Sequence, residues 1–118
     1  MNMIVFVLHN PAHLDEVLQA WDRAGVKGTT VLFSVGFEAV RKAHAMREDL
    51  PLMPSAEDFQ GKIREMSRTL FTVVEDEAVQ QKVIAATLRI VGDLDKPDTG
   101  ILAVLPVSEA YGLHRVDR

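Results

Sequence analysis

The chain has 118 residues, the length of one domain with a single core. Apolar residues make up 47% and charged residues 25%, which excludes a disordered chain, and a formal net charge of -4 with scattered Lys and Arg offers no basic stripe to nucleic acid. The absence of cysteine excludes disulfides, thiolate metal sites and cysteine nucleophiles; with no leader pattern and no apolar run near the ~20 residues of a membrane helix, the expectation is a cytoplasmic protein without membrane insertion.

The first apolar run, Met3 to Leu8, is β-branched and aromatic and is stopped by His9-Asn10-Pro11, which predicts a strand. Asn10 is placed to cap a helix with Pro11 at its first position, where a missing N–H costs nothing. Leu14, Val17, Leu18 and Trp21 follow at i, i+3, i+4 and i+7 as one apolar stripe, and Gly25 suits a left-handed stop. Val31 to Val35 and Leu70 to Val74 read as the second and third strands. Asp76 caps a second helix whose apolar positions, Val79, Val83, Ile84, Leu88 and Val91, fall on one side before Gly92. The last strand runs from Gly100 to Val107, with Pro106 tolerable only on a sheet edge.

Between the second and third strands lies a segment from Gly36 to about Ser67, too long for a plain loop in a compact domain. Phe37, Val40 and His44 share a helical face, Leu50 to Pro54 breaks it, and Ser55 with Asp58 could cap a short helix carrying Phe59, Ile63 and Met66. Those apolar residues either dock on their own domain or form a partner-binding arm. Superposing the two halves with a shift of 67 places Gly25 on Gly92, Trp21 on Leu88, Val17 on Ile84 and Phe6 on Val73, but sets Leu14 on Gln81, a repeat of architecture more than of sequence. The order β-α-β-β-α-β, over residues 1–118 as a single domain, predicts an α+β fold of the ferredoxin-like type. It is an antiparallel sheet with two helices on one face and a long, partly helical insert at about 36–67.

The strands are apolar on both faces, whereas two helices can cover only one. The other face is expected to show Val5, Val7, Phe33 and Val104 as a contiguous patch, covered either by a second copy of the chain or by the insert folding back.

The segment Leu14 to Val17, Ala24-Gly25-Val26-Lys27-Gly28-Thr29-Thr30-Val31 and Val35-Gly36-Phe37 resembles the nitrogen-regulatory PII signal-transduction family, in which the first helix ends at G-x-x-G, followed by x-T-V and then G-F. Asp76 to Val91, the turn to Gly100 and Ile101 to Val107 look like that family's second helix, phosphate-binding loop and last strand, so the resemblance spans roughly residues 3 to 115. It implies a homotrimer with ligand in clefts between neighbouring subunits, the insert standing where the family has its effector loop. Thr30, Gly36 and Phe37 then lie beside an adenosine, and Gly92, Lys96, Thr99 and Gly100, with Arg115, lie toward the phosphates. A threonine hydroxyl can donate and accept there, and a glycine allows close backbone approach.

The chain departs from the family where the phosphates would sit. The loop from Gly92 to Gly100 carries Asp93, Asp95 and Asp98 against one Lys96, and Ile101 replaces the lysine after the last glycine. Gly112 and His114 stand at the positions of the family's arginines, with Arg115 one place on, and Val40 replaces the glutamine tied to magnesium and 2-oxoglutarate. The only tyrosine is Tyr111, outside the insert, so control by uridylylation is excluded. The ligand implied is AMP, ADP or a cyclic adenine nucleotide in preference to ATP, and the implied function is regulation of a partner, a transporter or an enzyme. No G-x-S-x-G or H-E-x-x-H pattern occurs, and the chain reads as a regulator without catalysis. His9 with His13, His114 with Asp117, and the three loop aspartates are weak metal patterns, read here as solvated side chains. The competing readings are a trimeric ferredoxin-like metal-tolerance protein that binds cations and an interaction module with no small ligand.

Overall fold

A computed structural model of the chain describes residues 1–34, 67–97 and 99–114. The elements are β1 (Asn2–Leu8), a 3-10 turn (Pro11–His13), α1 (Leu14–Ala24), β2 (Thr30–Ser34), β3 (Ser67–Val74), α2 (Glu77–Val91) and β4 (Gly100–Pro106). Their ends are set as the sequence suggests. Asn10 Oδ1 accepts from the Ala12 N–H at 3.0 Å, so Pro11 opens the 3-10 turn and the α-helix proper begins at Leu14. Asp76 Oδ1 caps α2 by accepting from the Ala78 N–H at 2.7 Å. Gly25 closes α1 in the left-handed region at φ 109°, donating its N–H to the Asp22 carbonyl.

The strands form one antiparallel sheet in the order β2-β3-β1-β4, with both helices packed on one face and against each other. This is the ferredoxin-like α+β fold. The long segment between β2 and β3, whose helices were expected around Phe37 and Phe59, lies outside the described residues. Ile4, Phe6, Leu8, Leu70 and Val74 point from the central strands into the core, where they meet Val17 and Trp21 of α1 and Val83 of α2, all buried. Pro106 is the last residue of an edge strand, so its missing N–H breaks no interior ladder.

Three expectations are corrected. Leu88 is 41% exposed, and in its turn of α2 the residue that reaches the core, one turn after buried Val83, is Thr87, which is fully buried. The half-chain offset is 66 rather than 67: Ile4, Phe6, Leu8, Val17 and Trp21 fall on Leu70, Thr72, Val74, Val83 and Thr87, and every one of the ten is buried. At the same offset the cap Asn10 falls on the cap Asp76. Gly25 and Gly92 are not equivalent, because α2 continues one residue beyond the counterpart of Ala24. The register pairs Val5 with Phe71, and the Trp21 indole bonds to Thr87; both pairs are 66 apart, so a local two-fold axis passes through them.

The third correction concerns the sheet's outer face. Val5 and Val7 do lie there, opposite the helices, alternating with buried Ile4, Phe6 and Leu8. Phe33 and Val104 do not. Phe33 pairs with Arg68, which pairs with Leu8, and Val104 pairs with Ile4, so both share the helix-side face. They are exposed, at 63% and 37%, because they sit on edge strands beyond the helices' cover. Leu32, Ile101 and Leu105 take their places on the outer face.

Candidate functional site

Thr30 is the first residue of β2 and is exposed on the sheet's outer face, level with Phe71, Val5 and Ala103 across the four strands. The loop from Gly92 to Gly100 connects α2 to β4, at the other edge of the same sheet. Three inter-strand spacings separate the edges, roughly 14 Å at about 4.8 Å each. One chain therefore does not bring Thr30 and this loop into a common cleft. Gly36, Phe37 and Arg115 lie outside the described residues. His114, one position before Arg115, has its Nε2 2.7 Å from Glu75 Oε1, just past the β3 end that pairs with Asn2, while Asp117 lies outside the described residues. Gly100 pairs with Leu8, at the opposite end of β1.

The loop is built from its own hydrogen bonds. Asp93 Oδ1 accepts from the Asp95 N–H at 2.9 Å, the Asp93 carbonyl accepts from the Lys96 N–H at 3.2 Å, and the Gly92 N–H donates to the Leu88 carbonyl at 2.9 Å. The Thr99 hydroxyl is directed at the Lys96 carbonyl at 2.8 Å and the Leu94 carbonyl at 3.3 Å, so it ties the loop together. A cradle for polyphosphate needs backbone N–H groups aimed outward without partners. Here those of Gly92, Asp95 and Lys96 are already satisfied. An open hollow of about 520 Å³ does sit at this corner, lined by Leu88, Gly92, Asp93, Leu94 and Asp95. Its walls are apolar or acidic, which favours a neutral or weakly charged ligand over a triphosphate.

Gly100 carries the strongest backbone constraint of the loop. Its φ is 138°, and a Cβ there would overlap the Val7 carbonyl oxygen of the neighbouring strand. Gly100 thus fixes where the loop enters β4, a structural role. Among the described residues no three His, Cys, Asp or Glu side chains come together to hold a metal ion. His9 is exposed and His13 half-buried beside the cap of α1. None of the described helices is long and apolar enough to cross a membrane.

Sequence reasoning missed the character of the two sheet edges. β2 exposes Leu32 on the outer face and Phe33 on the helix side, and β4 exposes Ile101 and Leu105 on the outer face and Val104 on the helix side. The signal was present as the unbroken apolar runs 31–33 and 101–105, but it becomes an edge property only once strand order is known. No protein-family model and no curated protein compared with this chain matches it.

Proposed function

We propose that this chain is a PII-like trimeric regulatory protein that senses a small ligand, an adenine nucleotide with few phosphates, and controls a partner protein. The observation that carries the reading is the division of the candidate site: Thr30 and the Gly92 to Gly100 loop occupy opposite edges of one ferredoxin-like sheet. A site using both takes them from two subunits, as the resemblance implies. An apolar outer face supports assembly as well. Val5 and Phe71 stand at its centre with Leu32, Ile101 and Leu105 around them, a patch that soluble monomers rarely leave uncovered.

The chemistry of the loop supports AMP, ADP or a cyclic nucleotide over ATP. Each charge-assisted hydrogen bond missing from a phosphate removes about 1.5–3 kcal/mol. The loop supplies carboxylates and spent N–H groups where such bonds would form. Bound nucleotide then acts by shifting the chain between a state that meets the partner and one that does not, which requires tighter binding to one of them. Isothermal titration with AMP, cyclic AMP, ADP and ATP tests this. Binding of AMP or a cyclic nucleotide at least as tight as that of ATP is expected, and no heat at millimolar ligand overturns the sensor. Light scattering tests the assembly, with a mass near three times 13.1 kDa expected.

A further inference from the structure

We infer that the groove between the two helices is a second ligand site, one for a small phosphate anion, with inorganic pyrophosphate as its best fit. The groove shares no lining residue with the hollow at the Gly92 to Gly100 loop, so the site stands apart from the nucleotide reading above. The local two-fold axis through Trp21 and Thr87 relates α1 to α2, which therefore run antiparallel, and it leaves the molecule between Ala20 and Ala86. Both alanines are half-buried, and with Ile90 they floor a hollow of about 220 Å³. Arg23 of α1 and Arg89 of α2 line the same hollow, both exposed and related by the axis. Each lies two residues past the axis on its own helix, roughly 3 Å of rise in opposite directions, so a guanidinium reaches the groove from either side.

Among the described residues neither guanidinium is paired with a carboxylate. Arg23 Nη2 donates to the neutral Gln19 Oε1 at 3.4 Å, which leaves the Gln19 amide N–H groups as further donors in the groove. The other charged positions of α1 differ from their counterparts in α2: Asp15 falls on Gln81, Glu16 on Lys82 and Asp22 on Leu88, whereas Arg23 falls on another arginine. Two like charges set across one groove repel, and an anion between them reverses that interaction. Guanidinium forks select carboxylate and phosphate oxygens. Phosphate is favoured because Glu16 also lines the groove, on Arg89's side of the axis. A monocarboxylate brings no more charge than Glu16 already places there, whereas pyrophosphate carries several charges on a compact frame. Its two phosphoryl halves are themselves related by a two-fold, so one faces each arginine. The volume lies below the ~300–1,000 Å³ of sites that enclose drug-sized ligands, so the groove takes the anion without enclosing a nucleoside.

Isothermal titration with inorganic pyrophosphate tests the site, with sulfate and succinate as controls for charge alone. One pyrophosphate per chain should bind, more tightly than either control and more weakly as salt is raised. Arg23→Gln and Arg89→Gln should each weaken binding about tenfold, and Glu16→Gln should tighten it about 1.4- to 5-fold. Both arginines are exposed, so the variants should keep the circular dichroism of the wild type. The wild type supplies a second readout: phenylglyoxal, followed by peptide mass spectrometry, should modify Arg23 and Arg89 more slowly when pyrophosphate is present. No heat at millimolar pyrophosphate, or equal affinity in the wild type and both glutamine variants, overturns the site and leaves the nucleotide sensor standing. Displacement of pyrophosphate by AMP also overturns it, because the anion would then sit at the loop. Pyrophosphate that binds through both arginines in a protein that takes up no AMP, cyclic AMP, ADP or ATP upholds the groove and overturns only the sensor.

Discussion

The Trp21 indole N–H donates to Thr87 Oγ1 at 2.8 Å, in the buried space between the two helices and above the centre of the sheet. The threonine hydroxyl in turn donates to the Val83 carbonyl at 2.7 Å, so neither polar atom is left unpaired. A tryptophan in this core needs a partner for its N–H, and the structurally equivalent position of the other half provides it.

Trp21→Ala should therefore cost about 3–5 kcal/mol, the range of large aromatic deletions. Thr87→Val keeps the volume but strands the indole N–H, and about 1–3 kcal/mol should be lost. Urea melts of both variants and of Trp21→Phe with Thr87→Val supply the check. The valine should be better tolerated beside phenylalanine, and a Trp21→Ala loss below about 1 kcal/mol would mean that the stripe of α1 does not anchor the core.

The two glycines that bound β2 and β4 should respond in opposite ways. Gly100→Ala forces a Cβ against the Val7 carbonyl at a φ that L-residues avoid, and should lose at least about 1–3 kcal/mol. Gly28 has open space around its Cα and no positive φ, so Gly28→Ala should be neutral or stabilise by about 0.4–1 kcal/mol. Thermal denaturation of the pair distinguishes a glycine held by geometry from one that merely occupies a motif.

Removal of either helix cap should cost about 0.5–2 kcal/mol. Asn10→Ala frees the Ala12 N–H and Asp76→Ala frees that of Ala78. Gly in either position should restore most of the loss, because the cap residue has extended backbone there. A fall with Ala that Gly does not repair would point away from capping.

On the proposed reading, Asp93→Asn and Asp95→Asn should narrow the disadvantage of ATP relative to AMP. In Asp93→Asn the side-chain amide oxygen can still accept from the Asp95 N–H, so this change removes charge while keeping the turn. Exposed charges act at about 0.2–1 kcal/mol each, which corresponds to an improvement of about 1.4- to 5-fold per carboxylate, larger at low salt. Titrations at two ionic strengths measure it, and an unchanged ATP-to-AMP ratio would mean that phosphates do not approach this loop.

The element order was readable because each boundary carries a local cause: Asn10 and Asp76 as caps, Gly25 as a left-handed stop, Pro106 near a strand end. Side-chain facing was less so. Strands apolar on both sides give no alternation from which to fix parity, and only the register sets Phe33 and Val104 level with Leu8 and Ile4. Thr87 was overlooked because a buried threonine looks polar in a pattern search, although its hydroxyl is satisfied by Trp21 and Val83. At the candidate site, sequence placed Thr30 and the Gly92 to Gly100 loop together by resemblance. Their separation to opposite edges follows from strand order, and the satisfied N–H groups of the loop follow from the turn built by Asp93, neither of which is local information.

The local two-fold axis limits how alike the halves can become. A residue on the axis faces its own counterpart, so a chain made of two identical halves would have to place two tryptophans, or two threonines, into the space that Trp21 and Thr87 share. The first choice overfills the core and leaves two indole N–H groups seeking acceptors; the second opens a void of most of an indole. Divergence at this pair is thus a packing requirement, and an attempt to symmetrise the chain by copying one half onto the other should fail first here, at its most central contact.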